Sequence, residues 1–389
     1  MPVEEDEDTV GRRIAKYRKL RRKTQRQLAQ LAGVGLGTLE KVESGHADPS
    51  NVWVGYIANA LDIDSSLLWG EDSAPPRLDG IIPVVRRVLA ATDLPSAVDP
   101  EPIDQLRPQV WQLMTWRHEA AYEKMAASLP ALVDQLLVAT DRDGVEAFSL
   151  LTYAYRAANT LSHKLGHHDL SMLATDRMEW AAANSEDQLL LATTRYVKSA
   201  ALARIGASAQ AIQLTDRTIA DVEPLATDMP GAAVLCALHM RRAGLAATAW
   251  NADDTDTHYG EAAALASRTG DRQVMGTVVG PTNLKLWELA SAVDLGRVGE
   301  AKKIAESVNL AGGLPPERVA HYWLDLARAH LAAGNPDAAV DSLQEAKMAA
   351  PGYFQRARGV KSAIETTTAQ HRRGSKKLRA LAAYAGVLE

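Results

Sequence analysis

Between Thr24 and Gly45 the chain reads TQRQLAQLAGVGLGTLEKVESG, and this stretch limits the fold more than any other. Leu28 and Ala29 give a short helix its apolar face, and Thr24 stands where a capping hydroxyl belongs. Ala32-Gly33-Val34 then interrupts it, with a glycine that tolerates positive φ and a valine that plugs the turn. A second short helix follows, turning Leu39 and Val42 inward and stopping at Gly45. Two short helices joined steeply through such a turn make a helix-turn-helix, whose second helix is shaped for the major groove of DNA.

The same register continues on both sides. Gly11-x-x-Ile14 precedes it; Leu39-x-x-Val42-Glu43-x-Gly45, Pro49 and Ile57-Ala58-x-Ala60-Leu61 complete it. Over about residues 9–70 the chain resembles the N-terminal domain of the XRE (phage-repressor-like) family of transcription regulators. That resemblance implies base-facing positions at Gly35, Leu36, Gly37 and Lys41, with Thr38 and Glu40 beside them. It also implies that Arg18 pairs with Glu43 to hold the scaffold. Gln25, at the start of the first of the two helices, is expected to hold a phosphate oxygen through its amide and the helix N-terminus. Arg22, Lys23 and Arg26 are the expected neighbouring DNA contacts. Glycine and leucine occupy sites where the family carries polar residues, so direct base reading is expected to be modest. Specificity then falls to Lys41, to Thr38 and to DNA shape.

Charge is distributed accordingly. Residues 1–8 hold five acids and no base, whereas residues 9–70 hold ten Lys/Arg against five Asp/Glu. The remaining 33 bases and 38 acids leave the rest of the chain acidic. Positive charge is thus concentrated on the segment that carries the DNA motif, as phosphate binding requires. The basic run Arg372, Arg373, Lys376, Lys377 and Arg379 near the C-terminus reads as a solvated face.

Only 5% of the 389 residues are aromatic although 47% are hydrophobic, so alanine and leucine must supply the packing. Alanine is the strongest helix former, and the expected class is all-α. The expected divisions are an acidic tail over 1–8, the helix-turn-helix unit over 9–70, a Pro-containing linker over 71–77, bridging helices over 78–143 and a repeat region over 144–389. The bridging helices are placed at about 78–92, 103–127 and 130–142. A single cysteine, Cys236, excludes an intrachain disulfide and suits a reducing cytoplasm. No apolar run is long enough to span a membrane, and the acidic start is unlike a signal peptide. A cytoplasmic location without membrane contact is therefore expected.

From about residue 144, turns recur at Gly166, Gly206, Asn251, Gly296 and Gly334, each closing a long helix. Spacings of roughly 40 residues point to stacked helix pairs. In the last pair, Trp323, Leu326, Ala327, Gly334, Ala339, Leu343, Ala346 and Pro351 resemble the tetratricopeptide consensus, with His330 in place of its tyrosine. Earlier copies keep the turn and a small residue five later (Ala211, Ala301). The region therefore resembles a degenerate tetratricopeptide-like solenoid, as in large actinobacterial helix-turn-helix regulators with a Gly-Pro-Thr-Asn segment like Gly280–Asn283. In that register Tyr153, Arg156, Tyr196, Arg241, Asn283, His321 and Arg328 face the concave side. Arginine holds carboxylates and tyrosine stacks and donates, a set suited to a peptide or small-molecule ligand. The same residues also suit a solvated channel, and Gly280-Pro281 also suits a helix start in which Asn283 is a cap.

His163 and His167 have the i,i+4 spacing of metal ligands, but no HExxH or cysteine pair accompanies them, and no metal or cofactor is expected. Phosphate-loop, nucleophile-elbow and dinucleotide signatures are missing from the sequence, which argues against an enzyme. The expected function is a homodimeric, sequence-specific regulator that binds a double-stranded DNA operator and senses a ligand through its repeats. The competing expectation is an interaction scaffold whose repeats grip a partner protein while DNA binding is weak or lost.

Overall fold

A computed structural model describes residues 9–70, 81–90, 94–95, 99–310, 313–371 and 375–387. The expected acidic tail, the 71–77 linker and Arg372–Arg373 lie outside the described residues.

Five helices open the chain: α1 (Val10–Leu20), α2 (Gln25–Ala32), α3 (Leu36–Glu43), α4 (Asn51–Leu61) and the single turn α5 (Ser66–Trp69). Their ends follow from side chains that complete the first-turn N–H groups. Thr9 accepts from Arg12, Ser50 accepts from Trp53, and Thr24 and Gln27 form a reciprocal capping box. Gly33 takes φ +64° between α2 and α3, which makes the turn of the helix-turn-helix. Ile14, Leu28, Leu39, Ile57 and Leu68 are fully buried at its centre. Leu20, the last residue of α1, is 66% exposed.

The bridging helices depart from expectation. α6 (Ile81–Ala90) and α7 (Ile103–His118) are followed by α8, which runs from Tyr122 to Lys164 through Pro130. The break falls at Ala120, in the left-handed region, rather than near residue 128, and α8 kinks at Gly144 (φ 48°, ψ −120°). The second half of α8 packs with α9 (His168–Asn184), and further pairs follow, α10 (Gln188–Arg204) with α11 (Ser208–Val222) and α12 (Met229–Thr248) with α13 (Ala252–Thr269). Beyond them come α14 (Pro281–Asp294), α15 (Val298–Ser307), α16 (Pro316–Ala332) and α17 (Pro336–Ala349). The last described helices are α18 (Pro351–Arg356), α19 (Arg358–Gln370) and α20 (Lys376–Ala385). Positive φ at Gly166, Gly206, Trp250, Gly296 and Gly334 places a left-handed residue at each predicted turn. Buried alanines such as Ala154, Ala157, Ala174, Ala233, Ala243 and Ala327 let the helix backbones approach closely. The protein is all-α in class, a helix-turn-helix unit followed by a solenoid-like array of helical repeats.

A short antiparallel hairpin interrupts the array. β1 (Arg272–Val274) pairs with β2 (Thr277–Val279), Val274 opposite Thr277, across Met275 and Gly276. Both turn residues have positive φ, which suits the right-handed twist of a two-residue hairpin. No strand was expected here.

The helix-turn-helix unit is seated on the row of inter-helix turns. Ala203, Ala211 and Leu245 belong to its hydrophobic core although they lie in α10, α11 and α12. A Cβ on Gly55 of α4 would sit 2.8 Å from the carbonyl oxygen of Arg204, so glycine sets the close approach. On the other flank, Asp48 is 3% exposed and accepts from Ser362 and, at 3.3 Å, from Thr366 of α19. Arg328 of α16 donates to the Asp48 backbone oxygen at 3.1 Å, and Gln370 donates to Gly45 at 2.7 Å.

Candidate DNA interface and a cationic cavity

The recognition helix α3 is held from behind. Arg18 donates to both oxygens of Glu43, at 2.6 and 2.7 Å, a bidentate pair that is nearly buried. The Glu43 hydrogen bond raises the pKa of Arg18 despite burial. Gln25 donates its side-chain amide to Glu43 at 2.9 Å. The amide expected on a phosphate is therefore committed to the scaffold.

Gly37, Glu40 and Lys41 of α3 are exposed, as are Arg22 and Arg26, and Lys23 is half-buried; Lys41 and Thr38 also line a cleft shared with Asp294, Gly296 and Arg328 of the repeats. Leu36 and Thr38 are half-buried. Gly35 is covered, contrary to expectation: a Cβ there would lie 2.5 Å from the indole of Trp250, which protrudes from the turn between α12 and α13. Arg13, one of the cations of α1, also departs from the surface, donating to Leu68 O at 2.8 Å and standing 3.6 Å from Glu365.

A second feature lies inside the array. The first helices of successive pairs, with α7 and the hairpin, enclose a cavity of about 290 Å³. Arg156, Tyr196, Arg241, Asn283 and His321 line it, as the repeat register predicted for the concave face. Two expected members lie elsewhere. Tyr153 lies one turn before Arg156 on α8, outside the cavity lining, and packs edge-on against Trp111 of α7 at 5.0 Å. Arg328 pairs with Asp294 at 2.7 Å and Asp325 at 3.0 Å beside Asp48, about two turns beyond His321 on α16.

Several lining residues escaped the sequence reading: Arg117, Lys164, Arg204, Trp287 and Arg318. Four of them were legible by helical spacing. Lys164 follows Arg156 and Thr160, Arg204 follows Tyr196 and Ala200, Trp287 follows Asn283, and Arg318 precedes His321 by three. Arg117 comes from the bridging region, where nothing in the repeat register reaches.

Arg156 donates to Met275 O at 2.7 Å and Thr277 Oγ1 at 2.9 Å, and Arg117 donates to Gly276 O at 2.5 Å, so the hairpin is pinned to the cavity wall. Asn283 is saturated from within, donating to Val278 O at 2.8 Å and accepting from Arg318 at 2.9 Å. Arg241 lies between the rings of Tyr196 and Trp287, at 4.4 and 4.8 Å from their centroids. Glu317 is the acid of the cavity, paired with Lys164 at 2.5 Å, which holds its carboxyl well below the usual range against the effect of burial. Burial and the neighbouring Arg117 push His118 down to about 3, and burial and Lys164 push His321 down to about 4.

No curated protein matches the chain. Among solved structures, BtubC (BKLC) from P. vanneervenii aligns at 14% identity and a TM-score of 0.41, over 59% of this chain and 91% of that one. PlcR from Bacillus thuringiensis, solved with the peptide PapR7 and DNA, aligns at 16% identity and a TM-score of 0.32, over 67% of this chain and 95% of that one. A family model described as a helix-turn-helix domain matches residues 9–68, and that segment of the chain is a helix-turn-helix domain.

Proposed function

We propose that the protein is a transcription regulator that binds an operator through α2 and α3 and senses a ligand in the cavity of its repeats. The observation that carries the reading is the outward side of the helix-turn-helix domain. There Lys41 on α3, Arg22 ahead of α2 and Arg26 on α2 are exposed, while Arg18 and Glu43 fix the end of α3. Cations around a rigid, groove-sized helix serve phosphate contact and base reading together. The finer parts of the proposal are XRE-like docking, tetratricopeptide-like repeats over 144–389, and a homodimer whose recognition helices span two half-sites. A ligand that favours one arrangement of domain and repeats then shifts operator affinity.

A gel shift with DNA upstream of the protein's own gene tests the reading. Binding should be sequence-selective and weaken steeply with salt. The covered Gly35 favours a second reading, in which the repeats grip a partner protein and the domain is a docked structural part. No selective shift at low salt would leave that reading standing.

A further inference from the structure

The cavity carries more positive charge than its walls compensate. Six cations line it, Arg117, Arg156, Lys164, Arg204, Arg241 and Arg318, against the single carboxylate of Glu317. Glu317 is taken by Lys164, and among the described residues none of the five arginines forms an ion pair. Arg117 Nε, Arg204 Nη1 and Arg241 Nε are buried without a hydrogen-bond partner among the described residues. Arginine does not shed its proton near neutral pH, so this repulsion and lost hydration cannot be relieved by titration. An anion relieves both. The guanidinium fork matches oxyanions, and about 290 Å³ is room for a compact molecule.

We propose that this cavity binds a compact, multiply charged oxyanion, phosphorylated or polycarboxylic, and that α10 transmits its presence to the DNA-binding domain. Arg204 makes the link. Its side chain lines the cavity, while its carbonyl oxygen lies beneath Gly55 of α4. Drawing the guanidinium toward an anion biases the last turn of α10, on which the domain rests. The transmission rests on the regulator reading; the binding site does not.

Calorimetry on the full chain, with inorganic triphosphate and with citrate at matched ionic strength, tests the site. Saturable binding at one site per chain supports it. Preference for triphosphate assigns the phosphoryl class, and preference for citrate the polycarboxylic class. Arg204→Gln and Arg241→Gln should each weaken binding at least about tenfold, as loss of a charge-assisted contact does. Lys302→Gln, on the outer surface of α15, should bind like the parent. Without ligand, Arg204→Gln should melt no lower than the parent, because it removes a repelling charge; a lower melting temperature would mark a structural arginine and count against the site. Binding of neither anion, or equal binding by parent and Arg204→Gln, overturns the proposal. If the anion binds but leaves operator affinity unchanged, the transmission falls and the site stands. If no operator is bound at all, the regulator reading falls instead.

Discussion

Lys41 and Arg22 occupy different parts of the proposed DNA surface, and their substitutions should separate. Lys41 projects from the exposed face of α3, whereas Arg22 lies in the turn ahead of α2. Lys41→Ala should cost about 1–3 kcal/mol of specific binding and relax preference at one base pair. Arg22→Ala should weaken all sequences alike and lower the salt slope by about one, read from gel shifts across a salt series. Identical behaviour of both variants and the parent would misplace the interface. Asp48 gives a second test at this scale. Burial pushes its carboxyl up to about 7 against the pull of Arg328, with Asp325 adding to the rise. Between about pH 4 and 7 the native state therefore holds a proton that the unfolded chain has released. Stability from this group is greatest at low pH and is lost as pH rises toward 7. The stability difference between parent and Asp48→Asn, from denaturant unfolding, should decline over that window and flatten above it. A constant difference would mean an ionised Asp48 locked to Arg328 throughout.

At the scale of the element, α3 is both the proposed reading helix and a docked one. Its inner face was legible in the sequence because Leu39 and Val42 follow helical spacing and Gly45 ends the run. Its relation to Trp250 was not, since a contact across more than two hundred residues leaves no local pattern. The hairpin was missed for a related reason. Its turn is Met275-Gly276 rather than Asn-Gly, and its three-residue strands are too short to show alternation. The concave face was readable because successive first helices share a register, and it failed where a side chain lay a turn short of the cavity, as Tyr153 does, or beyond it, as Arg328 does. Trp250 is 44% exposed and lies across Gly35 at the start of α3. Trp250→Ala should uncover that turn while leaving no large buried void, and operator affinity should rise. Unchanged or weaker binding would show that the indole does not stand in the way of DNA.

For the whole molecule, the decisive question is whether seating of the domain on the repeats opposes DNA binding. Gly55 allows the question to be posed with one methyl group. In an isolated helix, Gly→Ala stabilises by about 1 kcal/mol, so Gly55→Ala favours the folding of α4 itself. In the seated arrangement the new Cβ meets the carbonyl oxygens of Ala203 at 2.9 Å and Arg204 at 2.8 Å. Those are backbone atoms of α10 and cannot swing aside as a side chain would. The domain must lift, loosening the shared core at Ala203 and the contact between Asn59 and Gly206. The expected result is a folded domain with a larger radius of gyration by small-angle scattering and tighter operator binding. If the radius grows and binding weakens, the seated arrangement is the DNA-competent one, and the repeats act by presenting α3 rather than by withholding it. If neither changes, the backbone of α10 yields, and α10 is too soft to carry a signal from the cavity to the domain.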